Sequence, residues 1–468
     1  MEEKKSEILN PDTLSCDVFI SWTGKDGLLK DQIVNYLTAH EINCVESTSE
    51  CSGDFDKWSR NAVHRCSVFL LLFTSNTLNK ANTAASNPTV TDYVGLEIAE
   101  YKALYGDDSN RFLPLCTNQS IYDQDLWGLP SYASACWLGN ETRVSEEVLE
   151  EILHKVQNLI IRHLHRVYRQ AIHPDYIQLV PLYRPEKSQN AAFDFASLYI
   201  PRTLTRVDDH QAVVQPHIQL TAEDIGKDIL FISGSAGSGK SRYLEQLQQS
   251  LPESILPIVI PCSRLSQTEG CSLTDVMYDI FKQCCGYRCF YTRRHFESLL
   301  TCGIHVLLIL DGMDEIPNAK ETNIFVDNIK KELAKGGNLL NYTLLFTSRN
   351  PNDAHRIAFG GKTVCRYRLD PLTEENVRQL SQNLFVLFNT PQKNDDFYLQ
   401  LADLDQEIRT NPLLLSQLAI VYREQGKLPQ TAVDIYDAIF SICLEQDSYA
   451  HVQVPSILKD IVSKKRLS

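Results

Sequence analysis

The stretch Ile229-Leu-Phe-Ile-Ser-Gly-Ser-Ala-Gly-Ser-Gly-Lys-Ser-Arg constrains the fold of this chain more than any other. Ile229–Ile232 reads as a buried strand, and the residues after Gly239 read as a helix. Between them Gly234, Gly237 and Gly239 permit backbone angles that turn N–H groups toward one point. Those amides and the following helix N-terminus form a cradle for phosphate oxygens. Lys240 adds a point charge suited to β- and γ-phosphates, and Ser241 adds a hydroxyl ligand for Mg²⁺. A plain glycine turn is the alternative, and the flanking strand and helix argue against it.

A second strand, His305-Val-Leu-Leu-Ile-Leu, ends in Asp311-Gly-Met-Asp-Glu-Ile, with carboxylates at the end where α/β sheets hold ligands. Asp311 is suited to hold Mg²⁺ through its water shell. Asp314 and Glu315 are candidates to orient or deprotonate an attacking water. A polar turn after a core strand would give the same string, but the phosphate loop upstream favours a site. A third strand, Tyr342-Thr-Leu-Leu-Phe-Thr-Ser, runs into Arg349. That guanidinium can reach a γ-phosphate, or it can be a solvated arginine at a strand end. Together these strands predict a site for a nucleoside triphosphate with Mg²⁺.

At 468 residues the chain exceeds one ordinary core and predicts two or three domains. Its formal charge of −14 argues against nucleic acid or an anionic membrane as the main partner. The longest apolar runs, 66–73 and 304–310, fall far short of the ~20 residues that cross a bilayer and read as buried parallel strands. The start, MEEKKSEILNPD, lacks the apolar core of a secretory signal, so a cytoplasmic protein is expected. Most cysteines sit in apolar segments, as small core hydrophobes. No Cys-x-x-Cys occurs, and Cys284, Cys285 and Cys289 lack a second pair at zinc spacing.

Before residue 170, strand candidates (17–21, 68–74, 112–115, 135–138) alternate with helical spacing such as 28–37, which implies a parallel sheet with covered faces. The polar stretch Asn79–Asp92 reads as an inserted loop. From Glu146 to Arg169 apolar residues recur at helical spacing, with acids in the first turns and bases in the last, so one long helix is expected. Pro174, Pro181, Pro185 and Pro201 mark a linker or ordered strap. Strands and helices alternate again from Ile229 to about Asp370. Beyond Pro371 the pattern is helical alone, over 374–385, 397–408, 413–425 and 432–444. The expected organisation is an α/β domain over 1–165, a linker over 166–205, the phosphate-loop domain over 206–370, and a helical region over 371–468.

From about Tyr199 to Leu444 the chain resembles a NACHT domain of the STAND class of signalling NTPases. Gly312 directly after Asp311, the whole Asp-Gly-x-Asp-Glu string and Thr347-Ser348-Arg349 carry the resemblance. So do Asn411-Pro412-Leu413-Leu414-Leu415, Leu428-Pro429 and Ile435-Tyr436. It implies a parallel P-loop sheet, a helical region whose Pro412 lies near bound nucleotide, and the start of a winged-helix region. It also implies a switch, closed with ADP and opened by exchange for ATP, that oligomerises. A housekeeping P-loop ATPase with steady turnover is the rival.

Cys16-Asp-Val-Phe-Ile-Ser-Trp-Thr-Gly-Lys-Asp resembles the opening strand and loop of a TIR domain. Glu41–Glu46 and Ser52-Gly53-Asp54 resemble its second strand and BB loop, Ser67–Leu78 its third strand, and Tyr93-Val-Gly-Leu-Glu-Ile the following helix. Ser-Gly-Asp replaces the Pro-Gly of scaffold-type loops, which resembles the kind that cleaves NAD⁺. Their catalytic glutamate follows an aromatic by four residues. Here Tyr93 leads to Glu97, and Glu100, one turn on, competes with it. A carboxylate can stabilise positive charge on the ribose carbon as the nicotinamide bond breaks, or hold the ribose hydroxyls. Trp22, Trp58 or Tyr93 can stack on a flat ring. The resemblance implies a flavodoxin-like domain that self-associates under the nucleotide switch and hydrolyses NAD⁺ in an immune or cell-death response. The alternative is a non-catalytic scaffold that recruits TIR adaptors. The trigger or sensor partner is not legible in the sequence.

Overall fold

All 8 residues of the strand Cys66–Phe73 are buried, and strand geometry sends successive side chains to opposite faces. Val68, Leu70 and Leu72 join Leu29, Ile33 and Leu37 of the helix Gly27–Ala39 and Ile152, Val156 and Ile160 of the helix Glu146–Ala171. Phe69, Leu71 and Phe73 join Val63, Leu78, Val94, Ile98 and Tyr101 on the other face, from the helices Phe55–Arg65, Ser75–Ser86 and Tyr93–Tyr105. A strand apolar throughout suits a sheet covered on both faces. The sheet comprises β1 (Cys16–Ser21), β2 (Cys44–Glu46), β3 (Cys66–Phe73), β4 (Phe112–Cys116) and β5 (Cys136–Trp137). All pairings are parallel, in the order β2-β1-β3-β4-β5. This is the flavodoxin-like doubly wound order.

The structure is a computed structural model that describes residues 16–46, 55–106, 109–117, 119, 127, 135–140, 142–172, 176–177, 193–194, 198–226, 229–266, 272–285, 293–316, 319–334, 341–357 and 363–447. Ser52-Gly53-Asp54, the Trp58 side chain, Cys289, Pro174, Pro181 and Pro185 lie outside what is described, as does the expected winged-helix start beyond 447. Contacts divide the chain into two units, Met1–Ala171 with Phe281–Cys302, and Ile172–Ile280 with Gly303–Ser468. Within the first, Phe281 stacks on Tyr168 at 4.9 Å, and His295 of the helix Arg293–Thr301 lies 3.7 Å from Asp17. Only 87–92 of the stretch Asn79–Asp92 is the loop that its polarity implied, because 79–86 completes the helix Ser75–Ser86. Thr74 caps the helix Ser75–Ser86 by accepting from the N–H groups of Asn76 and Thr77, and Ala81, Ala84 and Ala85 favour the helix.

The second unit carries a seven-stranded sheet in the order β11-β12-β13-β10-β14-β8-β9. Its strands are β8 (Leu204–Val207), β9 (Val213–Ile218), β10 (Ile229–Ser233), β11 (Ile255–Pro261), β12 (His305–Asp311), β13 (Tyr342–Ser348) and β14 (Val364–Leu369), after a two-stranded pair β6 (Tyr176–Ile177) and β7 (Phe193–Asp194). β11 to β14 with β10 are parallel, and β8 and β9 add an antiparallel edge. β13 lies between β10 and β12, and its register sets Ser348 opposite Ser233 and Phe346 opposite Leu310. The carboxyl ends of all three strands therefore meet. Leu230, Ile232, Leu307, Ile309 and Leu345 pack under Tyr243, Leu244 and Leu247 of the helix Lys240–Ser250.

The helices Glu374–Leu387, Asn394–Leu401, Pro412–Gln425 and Ala432–Asp447 share a core around Leu384, Phe385, Phe397, Leu415 and Leu418, joined by Leu198 and Ile200. The single helix expected over 397–408 is two, Asn394–Leu401 and Gln406–Arg409, because the chain turns at 402–405 to bury Leu404. Among the described residues no helix is long and apolar enough to cross a membrane.

Candidate nucleotide-binding site

β10 delivers the chain to the loop 234–239, and the helix Lys240–Ser250 leaves it. Gly237 and Gly239 adopt φ of +71° and +92°, where a side chain costs about 1–2 kcal/mol. Lys240 Nζ donates to the Gly234 carbonyl at 2.6 Å and the Ser235 carbonyl at 3.3 Å. Burial holds its ammonium below the usual lysine range, against the pull of Asp314. Ser238 Oγ is buried and makes no hydrogen bond among the described residues.

Facing the loop, Asp311 Oδ2 accepts from Ser241 Oγ at 2.9 Å, and Oδ1 accepts from Thr347 Oγ1 at 2.5 Å. Thr347 Oγ1 also accepts from the Gly312 N–H at 2.8 Å, so β13 fixes the end of β12. Asp314 is committed to Arg349. Its Oδ1 accepts from the Arg349 backbone N–H at 2.8 Å, and Oδ2 pairs with Arg349 Nε at 2.9 Å. Glu315 folds its side chain over Gly312, where a Cβ would come within 3.0 Å of Glu315 Cδ.

A cavity of about 360 Å³ opens beside these groups. One end is polar, lined by 236–242, Asp311, Asp314, Glu315 and Arg349; the other is walled by Leu198, Tyr199, Ile200, Leu372, Leu380 and Pro412. Arg202, only 6% exposed, donates to the Ser238 carbonyl at 2.9 Å and to the Asp370 carbonyl. Asp370 in turn accepts from Thr203, Thr205 and His217. The polar end suits phosphates and the apolar end suits a base and sugar. Ser241 and Asp311, with the unpartnered Ser238 hydroxyl in the phosphate loop, fit a nucleotide carrying Mg²⁺. Ser241 and Asp311 would hold the ion, which neutralises charge between the β- and γ-phosphates when bound.

Every predicted nucleotide-site residue lies at this cavity or on its loop: Gly234, Gly237, Gly239, Lys240, Ser241, Asp311, Asp314, Glu315, Arg349 and Pro412. Sequence reasoning missed Thr347 and Asp370 as site residues, and Leu198–Arg202 as its wall. The signals available were a threonine two residues before Arg349 and an arginine directly after Pro201.

In the first unit Glu97 is 2% exposed and accepts from Ser21 Oγ, at the end of β1, at 2.5 Å. The competing Glu100 is half-buried and pairs with His64 at 3.0 Å. Tyr93 is 41% exposed, one turn before Glu97. Trp22, next to Ser21, has the Lys30 ammonium 4.9 Å over its ring. Asp92 caps the helix Tyr93–Tyr105 by accepting from the Gly95 N–H at 3.1 Å, and also accepts from Trp127 Nε1 at 3.2 Å.

The sheet and loop of the second unit define a P-loop NTPase. Residues 228–386 match the NACHT domain family, so this chain contains a NACHT domain, a nucleotide-switch NTPase of the STAND class. Among solved structures, the chain is similar to the Walker-type ATPase PABY2304 of Pyrococcus abyssi, at 12% identity over 53% of this chain and 78% of that one, with a TM-score of 0.32. It is also similar to the RuvB Holliday junction branch migration motor of Thermotoga maritima, at 13% identity over 48% and 61%, with a TM-score of 0.24. A third is Orc1 of Aeropyrum pernix in complex with DNA, at 11% identity over 47% and 59%, with a TM-score of 0.26. No curated protein matches the chain.

Proposed function

We propose that exchange of ADP for ATP in the NACHT site drives self-association of this chain in the cytoplasm. The assembled N-terminal domains, which resemble TIR domains, then hydrolyse NAD⁺ to nicotinamide and an ADP-ribose product in an immune or cell-death response. Glu97 carries the second half of this reading. Glu97 is buried at the end of β1 and accepts from Ser21 Oγ, so it is not a glutamate of a solvated helix face, and a buried, hydrogen-bonded carboxylate at a strand end supports a chemical task. Tyr93, one turn before Glu97, is the ring-stacking candidate on that helix, whereas Trp22 packs against the core on the opposite face of the sheet, under Lys30. Exposed Tyr93 and Leu96, at 41% and 46%, also favour a second reading, a scaffold whose TIR-like surface binds other TIR domains without chemistry.

Clustered full-length chain separates the two. It is expected to release nicotinamide from NAD⁺, with release cut at least about tenfold in Glu97→Gln and unchanged in Glu100→Gln. Glu97→Gln with wild-type release sinks the hydrolase. Intact NAD⁺ with recruitment of TIR domains establishes the scaffold.

In the nucleotide site, Asp314 acts as holder of Arg349, and Glu315 is the carboxylate that orients the attacking water. Asp314→Asn removes one negative charge and frees the guanidinium for a γ-phosphate. ATP affinity relative to ADP is expected to rise about fivefold, and the gain to vanish when Arg349→Ala is added. Competition titrations that give an unchanged ATP/ADP ratio refute the pairing as a control.

A further inference from the structure

We infer that Asn411, at the start of the helix Pro412–Gln425, is a positioning residue for the phosphate loop, which it holds with its amide facing the anion. The inference rests on the nucleotide-binding reading of that loop. A phosphate cradle needs its N–H groups turned inward and its carbonyl lone pairs turned away. Because the trans peptide points its C=O and N–H in opposite directions, a donor that grips a loop carbonyl from outside also aims the next amide inward.

Every carbonyl of the loop has a donor, and those of Ala236, Gly237 and Ser238 are gripped from elements outside the loop and its helix. Gly234 and Ser235 are taken by Lys240 Nζ. Ala236 accepts from Asn411 Nδ2 at 2.8 Å. Gly237 accepts from the Leu413 backbone N–H at 3.3 Å, Ser238 from Arg202 at 2.9 Å, and Gly239 from the Tyr243 N–H at 2.9 Å. A bound polyphosphate draws Lys240 to itself. The tip of the loop, 236–238, is then held by Arg202, by Asn411 and by the helix start that Asn411 organises.

Asn411 performs two separable tasks. Its Oδ1 accepts from the N–H groups of Leu413 at 3.1 Å and Leu414 at 3.3 Å, which caps the helix. Its Nδ2 donates to Ala236, which is the grip on the loop. Serine retains the capping acceptor and is too short for the grip. Aspartate caps well and places an acceptor against the Ala236 carbonyl.

The test is calorimetric titration of full-length chain with ADP and with ATP, beside its unfolding midpoint. Asn411→Ser is expected to bind both nucleotides about tenfold more weakly with a midpoint near wild type, and Asn411→Asp more weakly still. A purely capping residue predicts the reverse pattern: Ser and Asp bind as wild type, and only Asn411→Ala lowers the midpoint. That pattern overturns the inference. Lys240→Ala marks the other failure. If it binds like wild type, or if wild type binds neither nucleotide, the nucleotide reading falls and takes the inference with it. Wild-type binding lost in Lys240→Ala but unchanged in Asn411→Ser overturns the inference alone.

Discussion

Lys240→Ala is expected to weaken ADP and ATP binding by about a thousandfold while both units stay folded. The cavity is lined by three carboxylates, Asp311, Asp314 and Glu315, and four cations, Arg202, Lys240, Arg242 and Arg349. Arg349 is already paired with Asp314, Arg242 with Glu245, and Arg202 donates to the Ser238 and Asp370 carbonyls. Lys240 is thus the cation left to face an anionic ligand, and its donors now rest on Gly234 and Ser235, which water can satisfy in its absence. Two charge-assisted hydrogen bonds at roughly 1.5–3 kcal/mol each give the expected factor, since each 1.4 kcal/mol is about tenfold. Alanine is a good helix former at the first helical position, so the fold loses little. Titration beside an unfolding curve checks both halves. Affinity within about tenfold of wild type would contradict the role of the lysine. The same variant is expected to lose self-association and, with it, nicotinamide release. Normal assembly by a chain that binds no nucleotide would place the control elsewhere.

The parts of this site that were legible in the sequence are those fixed by local backbone. Glycines at 237 and 239 after an apolar run, and Gly312 after Asp311, take positive φ where the chain turns tightly at the cavity, and such turns leave a mark within a few residues. What was not legible depends on pairing across the sheet. Asp314 and Glu315 look alike in sequence. Only the position of β13 beside β12 brings Arg349 to Asp314 and leaves Glu315 over Gly312. The bond from Asn411 to Ala236 spans 175 residues and follows from where the helical region packs, which no local pattern encodes. Periodicity also misled where it was uniform. The helical spacing over 397–408 hid the turn that buries Leu404, and the polarity of 79–92 hid a helix whose apolar face is only Leu78 and Ala81.

Gly237→Ala is expected to weaken nucleotide binding by about a hundredfold, for a reason independent of the lysine. Two costs add. At φ +71° a Cβ is strained by about 1–2 kcal/mol. The new Cβ would also lie 2.8 Å from Leu413 Cβ and 2.9 Å from Asn411 Oδ1. Neither neighbour is the far end of a flexible side chain, because Leu413 Cβ sits on the helix backbone and Asn411 is held by its capping bonds. Relief requires the loop to deform or the helix start to withdraw, and each releases the carbonyls of Ala236 and Gly237. With overpacking at about 1–3 kcal/mol, the sum is about 3 kcal/mol, or a hundredfold. Gly303 supplies the control. Its φ is +89°, yet a Cβ there meets nothing within 4 Å. Gly303→Ala therefore carries the backbone strain alone, away from the site, and is expected to bind nucleotide as wild type while losing about 1 kcal/mol of stability. Titration of the two variants isolates the contact between loop and helix. Equal affinities would mean that the helix start gives way freely, and that the phosphate loop does not depend on where the helical region docks.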